Sequence, residues 1–367
     1  MKKILFNGFY GYKNSGDDAF VEIASWGNQH FWGNQEPAFF TGESLPETTT
    51  PIANVYPDSQ NKLRQKISVF NSALDSDYFI NAGGSVFSEI RPFSNIAFVN
   101  KAGIFNSKLQ HGAIGVSIGP FQSSADEKKT QKYLKKLKFL ALRDLKSYEY
   151  AKSLNLNCEP IKAFDLAALL PECLDEPAET VTASKEEKTI GISICNFERY
   201  YNGNLDNEKR RNDFVKDVLQ IVSKNQNIHF KFFIFNGNTQ IGDEQITLET
   251  ASSLNQQNVS VVPYSGNVKS VWNEIKQCDF VLSTRLHASI FACYAKVPFM
   301  LIEYHRKCSD FLEDVGYENG LRVFDAERSA KSVADDILSI LNGKFNIPSN
   351  LYQTIERARL NFTEVSL

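Results

Sequence analysis

The densest chemistry in the chain lies in two short tracts, Ser283-Thr284-Arg285-Leu286-His287-Ala288 and Glu303-Tyr304-His305-Arg306-Lys307. Each follows an apolar run and precedes a helical pattern, so each reads as a strand-to-helix turn. An Arg and a His two positions apart at such a turn both aim at the space beyond the strand ends. Together the tracts bring Arg285, His287, His305, Arg306 and Lys307 into a local positive field suited to a small, highly charged anion. An arginine grips a carboxylate or phosphate through paired hydrogen bonds, and a histidine holds a transferable proton near neutral pH. His30, His111 and His229 stand alone and read as structural or surface groups.

Three earlier turns carry further candidates. In Gly8 to Asp18, Gly16 would let a ligand approach the backbone and Asp17 offers a carboxylate base; alternatively Asp17 or Asp18 caps the helix that follows. The glycines there match neither the dinucleotide fingerprint nor the P-loop, so a nicotinamide cofactor is not favoured. Gly83-Gly84-Ser85 leaves bare amides where an anion could rest. Arg143 closes an apolar run, either as an anion grip or as the partner of Asp144 or another carboxylate.

Positioning such turns requires parallel strands covered by helices. Apolar runs at Lys3 to Phe9, Tyr78 to Ala82, Ile114 to Ile118 and Phe139 to Leu142 alternate with amphipathic segments, and the alternation restarts at Thr189 to Cys195. Tyr78 to Ala82 is expected to end at Gly83-Gly84, and Asn61 to Leu74 to be a helix burying Leu63, Ile67, Phe70 and Leu74. Between the two series, Pro171 to Lys188 is rich in proline and acid and reads as a linker. The expected class is α/β: two Rossmann-like, doubly wound parallel-sheet domains facing a cleft, over residues 1–175 and 186–345. Residues 346–367 are expected to hold a helix that crosses back to the first domain. A length of 367 residues suits two such domains.

Composition narrows the function. Forty basic against 43 acidic side chains give a net charge of -3, and no basic tract interrupts that balance, which argues against nucleic-acid binding. No apolar run is long enough to span a bilayer, and the stretch after Met1 breaks at Asn7-Gly8, too early for a signal peptide. The 6 cysteines are scattered singly, without metal-ligand or redox spacing. A cytoplasmic protein with reduced thiols and no metal is expected.

Asn14-Ser15-Gly16-Asp17-Asp18-Ala19, Gly83-Gly84-Ser85, Gly115 to Pro120, Leu142-Arg143-Asp144, Arg285-Leu286-His287-Ala288, and Tyr304 to Lys307 with Phe311 resemble, in this order, the polysaccharide pyruvyl transferase family. The resemblance implies transfer of enolpyruvate from phosphoenolpyruvate to a sugar, closing a cyclic pyruvate ketal, on a fold like that of the two-domain GT-B glycosyltransferases. It departs at Ala82, where the family often has a third glycine, and at Cys195-Asn196, where an arginine is frequent; Arg199 could compensate.

The resemblance carries Asp17, Arg143, His287 and Lys307 onto functional positions of the family. The charge demands of the reaction then assign Arg143, Arg285 and Lys307 to the donor, with Gly16, Gly83, Gly84 and Ser85 beside it. His287 is the expected general acid and Asp17 the base, whereas Asn14, Arg199, Tyr200 and Tyr304 are expected at the acceptor. The aromatic loop Phe197 to Tyr201 either stacks on a sugar or packs against the domain edge. No cofactor is implied beyond phosphoenolpyruvate as donor substrate. A lipid-linked oligosaccharide acceptor would bring the protein to the inner face of the cytoplasmic membrane without insertion. The alternatives are a nucleotide-sugar-dependent glycosyltransferase and a non-catalytic sugar- or anion-binding module.

Overall fold

The structure, a computed structural model, describes all residues except 43, 57–60, 176–186, 201–202, 226 and 326. Its strands are β1 (Ile4–Tyr10), β2 (Ala38–Thr41), β3 (Ala53–Asn54), β4 (Tyr78–Phe87), β5 (Gln110–Ile118), β6 (Leu137–Leu142), β7 (Pro160–Lys162), β8 (Lys188–Ser193), β9 (Ile228–Phe233), β10 (Val259–Val262), β11 (Phe280–Ser283), β12 (Phe299–Glu303) and β13 (Val323–Phe324). The helices are α1 (Ser15–His30), α2 (Lys62–Leu74), α3 (Asn95–Ala102), α4 (Ser124–Leu134), α5 (Leu145–Lys152), α6 (Leu170–Leu174), α7 (Leu205–Val222), α8 (Glu244–Ala251), α9 (Val268–Lys276), α10 (Leu286–Tyr294), α11 (Arg306–Asp314), α12 (Ala330–Leu341) and α13 (Leu351–Thr363).

Two sheets result, ordered β3-β2-β1-β4-β5-β6-β7 and β10-β9-β8-β11-β12-β13. Every pairing between these strands is parallel. In each sheet the order reverses beside the first strand, between β1 and β4 and between β8 and β11. The crevice beyond the strand ends at such a reversal is where an open parallel sheet admits ligand. The turn into α1 and Ser85 lie at the first reversal, Arg285 and His287 at the second.

Alternation along the strands decides what each face covers. In the first sheet Leu5, Phe79, Val116 and Leu140 face α2 and α3, whereas Ile4, Phe6, Ile80 and Ala141 face α1. That second cluster runs on without a break through Phe235, Trp272, Phe291 and Phe299 of the other sheet and its helices. A third cluster lies on the far face of the second sheet, under α7 and α12. The two sheets therefore share an apolar core, with α1 wedged between them and touching α9 and α10. Nearly every side chain from Ala19 to Ala24 is buried, as a helix enclosed on both sides requires.

α13 returns to the first sheet and packs on β5, β6 and β7. Asn361 accepts from Gly115 N at 2.7 Å and donates to Phe164 O at 2.8 Å, and Trp32 Nε1 donates to Phe362 O at 3.1 Å.

Three expectations need correction. β4 does not end at the glycine pair but runs through it to Phe87, with Gly83 and Gly84 at φ 72° and 76°. In α2 the residues turned to the sheet are Val69 and Ala73, while Leu63, Ile67 and Leu74 are exposed. That helix carries two apolar stripes, and periodicity does not say which one is buried. The linker begins later than Pro171, because Leu170–Leu174 is helical with proline in its first turn, where no amide hydrogen is needed. Residues 176–186 of that segment lie outside the described residues.

Candidate functional site

α1 starts where it does because Asn14, extended at φ -120°, accepts from Gly16 N at 3.0 Å and caps the helix. Asp17 and Asp18 fall in the first turn, where the helix dipole favours carboxylates. The start of the helix is tied across to the second sheet: Ser15 N donates to Phe235 O at 2.9 Å and Gly237 N to Lys13 O at 2.8 Å. Asp18 is buried and accepts from Tyr264 Oη at 2.7 Å. Glu47 continues this seam, its N donating to Gly266 O at 2.9 Å and its carboxylate accepting from Asn267 Nδ2 at 2.8 Å.

Docking α1 in this way places Gly16 directly against His287, whose ring would lie 2.3 Å from a Cβ at that position. The Phe20 ring meets the imidazole edge-on at 5.4 Å. On its other side Phe20 fills the space where a Cβ of Gly83 would lie, 2.3 Å from its ring. The packing of Phe20 thus requires glycine at position 83. The imidazole Nε2 of His287 is buried and has no hydrogen-bond partner among the described residues. A buried, unpartnered ring nitrogen at a ligand crevice is a group waiting for a ligand atom.

Arg143 closes β6 and is held at three points: Nε donates to Ser117 Oγ at 2.7 Å, Nη1 to Asp165 Oδ2 at 2.7 Å, and Nη2 to Ser85 Oγ at 3.3 Å. Asp144, a candidate partner in the sequence, instead caps α5 by accepting from Ser147 N at 2.8 Å. Asp165 itself caps the short turn Leu166–Leu169, accepting from Ala167 N at 3.0 Å. Across the cleft, Lys307 sits in the first turn of α11, its N donating to Nδ1 of the capping His305 at 3.1 Å. Lys146 and Asp310 bridge the two walls at 2.6 Å.

Between these walls lies a cavity of about 370 Å³ whose lining includes Ser85, Ser117, Arg143, Asp165, Leu286 and Lys307. Asp17, Arg285 and His287 stand at its margin, outside the lining, but within electrostatic reach of Arg143 and Lys307. Burial raises the Asp17 carboxyl to about 7; Arg143, Arg285 and Lys307 pull it down and Asp165 pushes it up. Burial lowers the His287 imidazole to about 4, with Asp165 opposing and the three cations reinforcing. Burial and Arg143 lower the Lys307 ammonium to about 8, while Asp17 acts the other way. The site thus holds two proton-carrying groups with displaced pKa values beside an arginine and a lysine on opposite walls.

Other expected residues are placed differently. Arg285 is gripped by Asp243, Nε at 2.7 Å and Nη2 at 2.6 Å, so these two donors are occupied and its charge acts as a field. Asn14 uses its side-chain oxygen as the helix cap. Arg199 Nε donates to Glu208 at 2.6 Å. Tyr304 is packed by the Phe197 ring at 4.9 Å and the Arg211 guanidinium at 4.8 Å. The packing reading of the aromatic loop therefore applies to Phe197; Tyr200 ends a short turn at Glu198–Tyr200, and Tyr201 lies outside the described residues.

Asp165, Ser117, Phe20 and Asp243 were not singled out in the sequence. Asp165 had a readable signal, an aspartate directly before the apolar run Leu166 to Leu170. No group of three or more His, Cys, Asp or Glu side chains able to hold a metal occurs among the described residues. No helix among them is long and apolar enough to cross a membrane.

The sequence model of the family described as polysaccharide pyruvyl transferase matches residues 14–306. No protein of curated function matches the chain. Among solved structures, a putative UDP-N-acetylglucosamine 2-epimerase from Listeria monocytogenes superposes with a TM-score of 0.61 at 9% identity, covering 100% of this chain and 98% of its own. The UDP-GlcNAc 2-epimerase of Methanocaldococcus jannaschii gives 0.60 at 11%, covering 98% and 97%. Anabaena HepE, solved with UDP-glucose, gives 0.56 at 10%, covering 99% and 96%. At such identities the likeness shows the architecture, which is GT-B-like.

Proposed function

The chain belongs to the polysaccharide pyruvyl transferase family, and from that premise we propose that it moves enolpyruvate from phosphoenolpyruvate to a sugar hydroxyl and closes a cyclic ketal with release of phosphate. The observation that carries this reading is the convergence of Arg143 and Lys307 on one cavity, with Asp17 and His287 in their field. A donor bearing both a carboxylate and a phosphate needs separated cations, and two opposed walls supply them. The apolar part of the lining, Ile118, Phe164, Leu286 and Ile290, offers the methylene carbon a surface from which water is excluded.

The chemistry divides between two groups. His287 delivers a proton to C3 of the enol, which becomes a methyl group while positive charge develops at C2. Asp17 takes the proton of the first sugar hydroxyl as its oxygen bonds to C2. A second hydroxyl then bonds to C2 as the C2–O bond to phosphate breaks; its proton returns to the His287 imidazole, the proton held by Asp17 leaves with the phosphate, and the ketal is complete. In the unliganded site the imidazole, held at about 4, is neutral at pH 7 and lacks the second proton that it would give to C3. The negative charges of the donor, entering beside Arg143 and Lys307, offset those cations and raise its pKa, so donor binding arms the acid.

The test is phosphate release from phosphoenolpyruvate over a panel of free and lipid-linked sugars, with the product identified by mass and NMR. Protection of the fold by phosphoenolpyruvate is expected. Protection by a uridine nucleotide in its place, with no phosphate released, would favour a nucleotide-sugar transferase on the same architecture.

A further inference from the structure

On the face of the first sheet opposite α1, α2 and α3 pack side by side and leave large apolar side chains in solvent. Leu63 is 66% exposed, Phe93 73%, Ile104 78% and Phe105 75%. They form one patch: the Phe70 ring meets Phe105 at 6.1 Å, and Lys66 Nζ, one turn from Phe70, lies over Phe93 at 4.9 Å and Phe98 at 5.6 Å. Isolated exposed apolar residues are ordinary, but a contiguous set of this kind marks a contact surface.

The charge around the patch identifies its partner. Lys66 and Lys101 lie over its rings, Arg64 follows Leu63 in α2, and neither Asn61 to Leu74 nor Ile90 to Leu109 contains an acidic residue. In a chain of net charge -3 this is a one-sided concentration of cations. None of these residues lines the cleft cavity. We propose that this face docks the protein on an anionic phospholipid bilayer, with Phe93, Ile104 and Phe105 entering the headgroup boundary and the lysines meeting lipid phosphates. An apolar centre with a basic rim is the composition that interfacial binding requires, because apolar burial and attraction to anionic lipid add. A symmetric dimer through the same face would set each cation against its own copy, which favours lipid over a second chain. The proposal rests on this surface and not on the reaction assigned to the cleft.

The test is co-sedimentation of the purified protein with phosphatidylglycerol–phosphatidylcholine vesicles and with pure phosphatidylcholine vesicles, at about 0.05 M and about 0.5 M salt. Partitioning at least about tenfold stronger onto the anionic vesicles, and weakened by salt, is expected. The pairs Phe93→Ser/Phe105→Ser and Lys66→Glu/Lys101→Glu should each lower it by about tenfold or more, with unchanged thermal unfolding midpoints. Equal partitioning onto both vesicle types would overturn the proposal, as would variants that bind like the wild type. If the same variants instead convert a dimer into monomers and no vesicle binding is seen, the face belongs to a second copy and the lipid assignment falls.

Discussion

The imidazole of His287 rests on the backbone of Gly16: a Cβ built there would come within 2.3 Å of both Cγ and Nδ1 of the ring. The two residues open helices that follow strands of different sheets, so this contact is where the halves of the molecule agree on the position of the acid. Gly16 is held by the cap from Asn14 and by the Ser15–Phe235 hydrogen bond, and Phe20, one turn on along α1, meets the same ring edge-on.

Gly16→Ala should therefore act on chemistry more than on folding. The helix tolerates alanine well, but the added methyl must push the imidazole away. A displacement of about 1 Å in a reacting group costs about a hundredfold in rate. Phosphate release should fall by roughly that factor, while protection of the fold by phosphoenolpyruvate persists. A variant with wild-type turnover would show that the ring position is not critical.

His287→Ala should lower turnover by about 10²- to 10⁴-fold, the range for loss of a general acid. The same residue makes binding proton-linked. Its pKa of about 4 in the free site must rise when the anionic donor arrives, so wild-type binding takes up protons below the bound-state pKa and tightens as pH falls. Calorimetry in buffers of different ionisation enthalpy should show less proton uptake for His287→Asn than for the wild type. An identical uptake would remove His287 from the acid role.

Much of this arrangement is legible in the sequence, and the parts that are not share a cause. The parallel sheets and the turns bearing Asp17, Arg143, His287 and Lys307 follow from apolar runs broken by polar strand ends, a local pattern. Partners are not local. Arg143 and Asp165 are joined through a strand crossover, and Arg285 meets Asp243 from a different turn. Asn14, expected at the acceptor, caps α1 with its side-chain oxygen, a role that an Asn before an apolar helix signals. In α2, both stripes have helical spacing, and only the sheet beneath selects Val69 and Ala73 over Leu63 and Ile67.

Arg143→Lys should separate charge from geometry. A lysine keeps the positive charge but cannot reach Ser117, Asp165 and Ser85 together while presenting a planar fork to an anion. Loss of one or two charge-assisted hydrogen bonds corresponds to about a 10- to 100-fold rise in KM for phosphoenolpyruvate. Steady-state kinetics with varied donor would check this; an unchanged KM would place donor recognition elsewhere.

Asp18 predicts a pH dependence of stability. Burial raises its carboxyl to about 7, with the Tyr264 hydrogen bond opposing and Asp17 adding to the rise. An acid whose pKa is higher in the folded state binds more protons there, so its contribution declines as pH rises from about 4 towards about 7 and stays low above that. Asp18→Asn keeps an oxygen for Tyr264 Oη and removes the buried charge. Its unfolding midpoint should exceed that of the wild type by roughly 3–8 °C at pH 8, with a much smaller difference at pH 4. Equal midpoints at both pH values would contradict a raised Asp18.

The pair Arg285–Asp243 distinguishes a structural cation from an open anion grip. Asp243 is fully buried and engages two nitrogens of the guanidinium; burial opposes that charge, and Asp243, aided by Cys195 and Tyr304, more than offsets it and keeps the group protonated. Removing only the carboxylate leaves that charge uncompensated, which costs about 3–5 kcal/mol when a buried pair is broken from one side. Asp243→Ala should therefore unfold at markedly lower denaturant. Replacing both partners, Asp243→Ala with Arg285→Met, should restore most of the stability, because no lone charge is left inside. If the guanidinium were instead free to swing to a donor, the single Asp243→Ala change would cost little stability, and phosphoenolpyruvate would bind that variant more tightly than the wild type. Chemical denaturation of the single and double variants, run with and without phosphoenolpyruvate, separates the two outcomes.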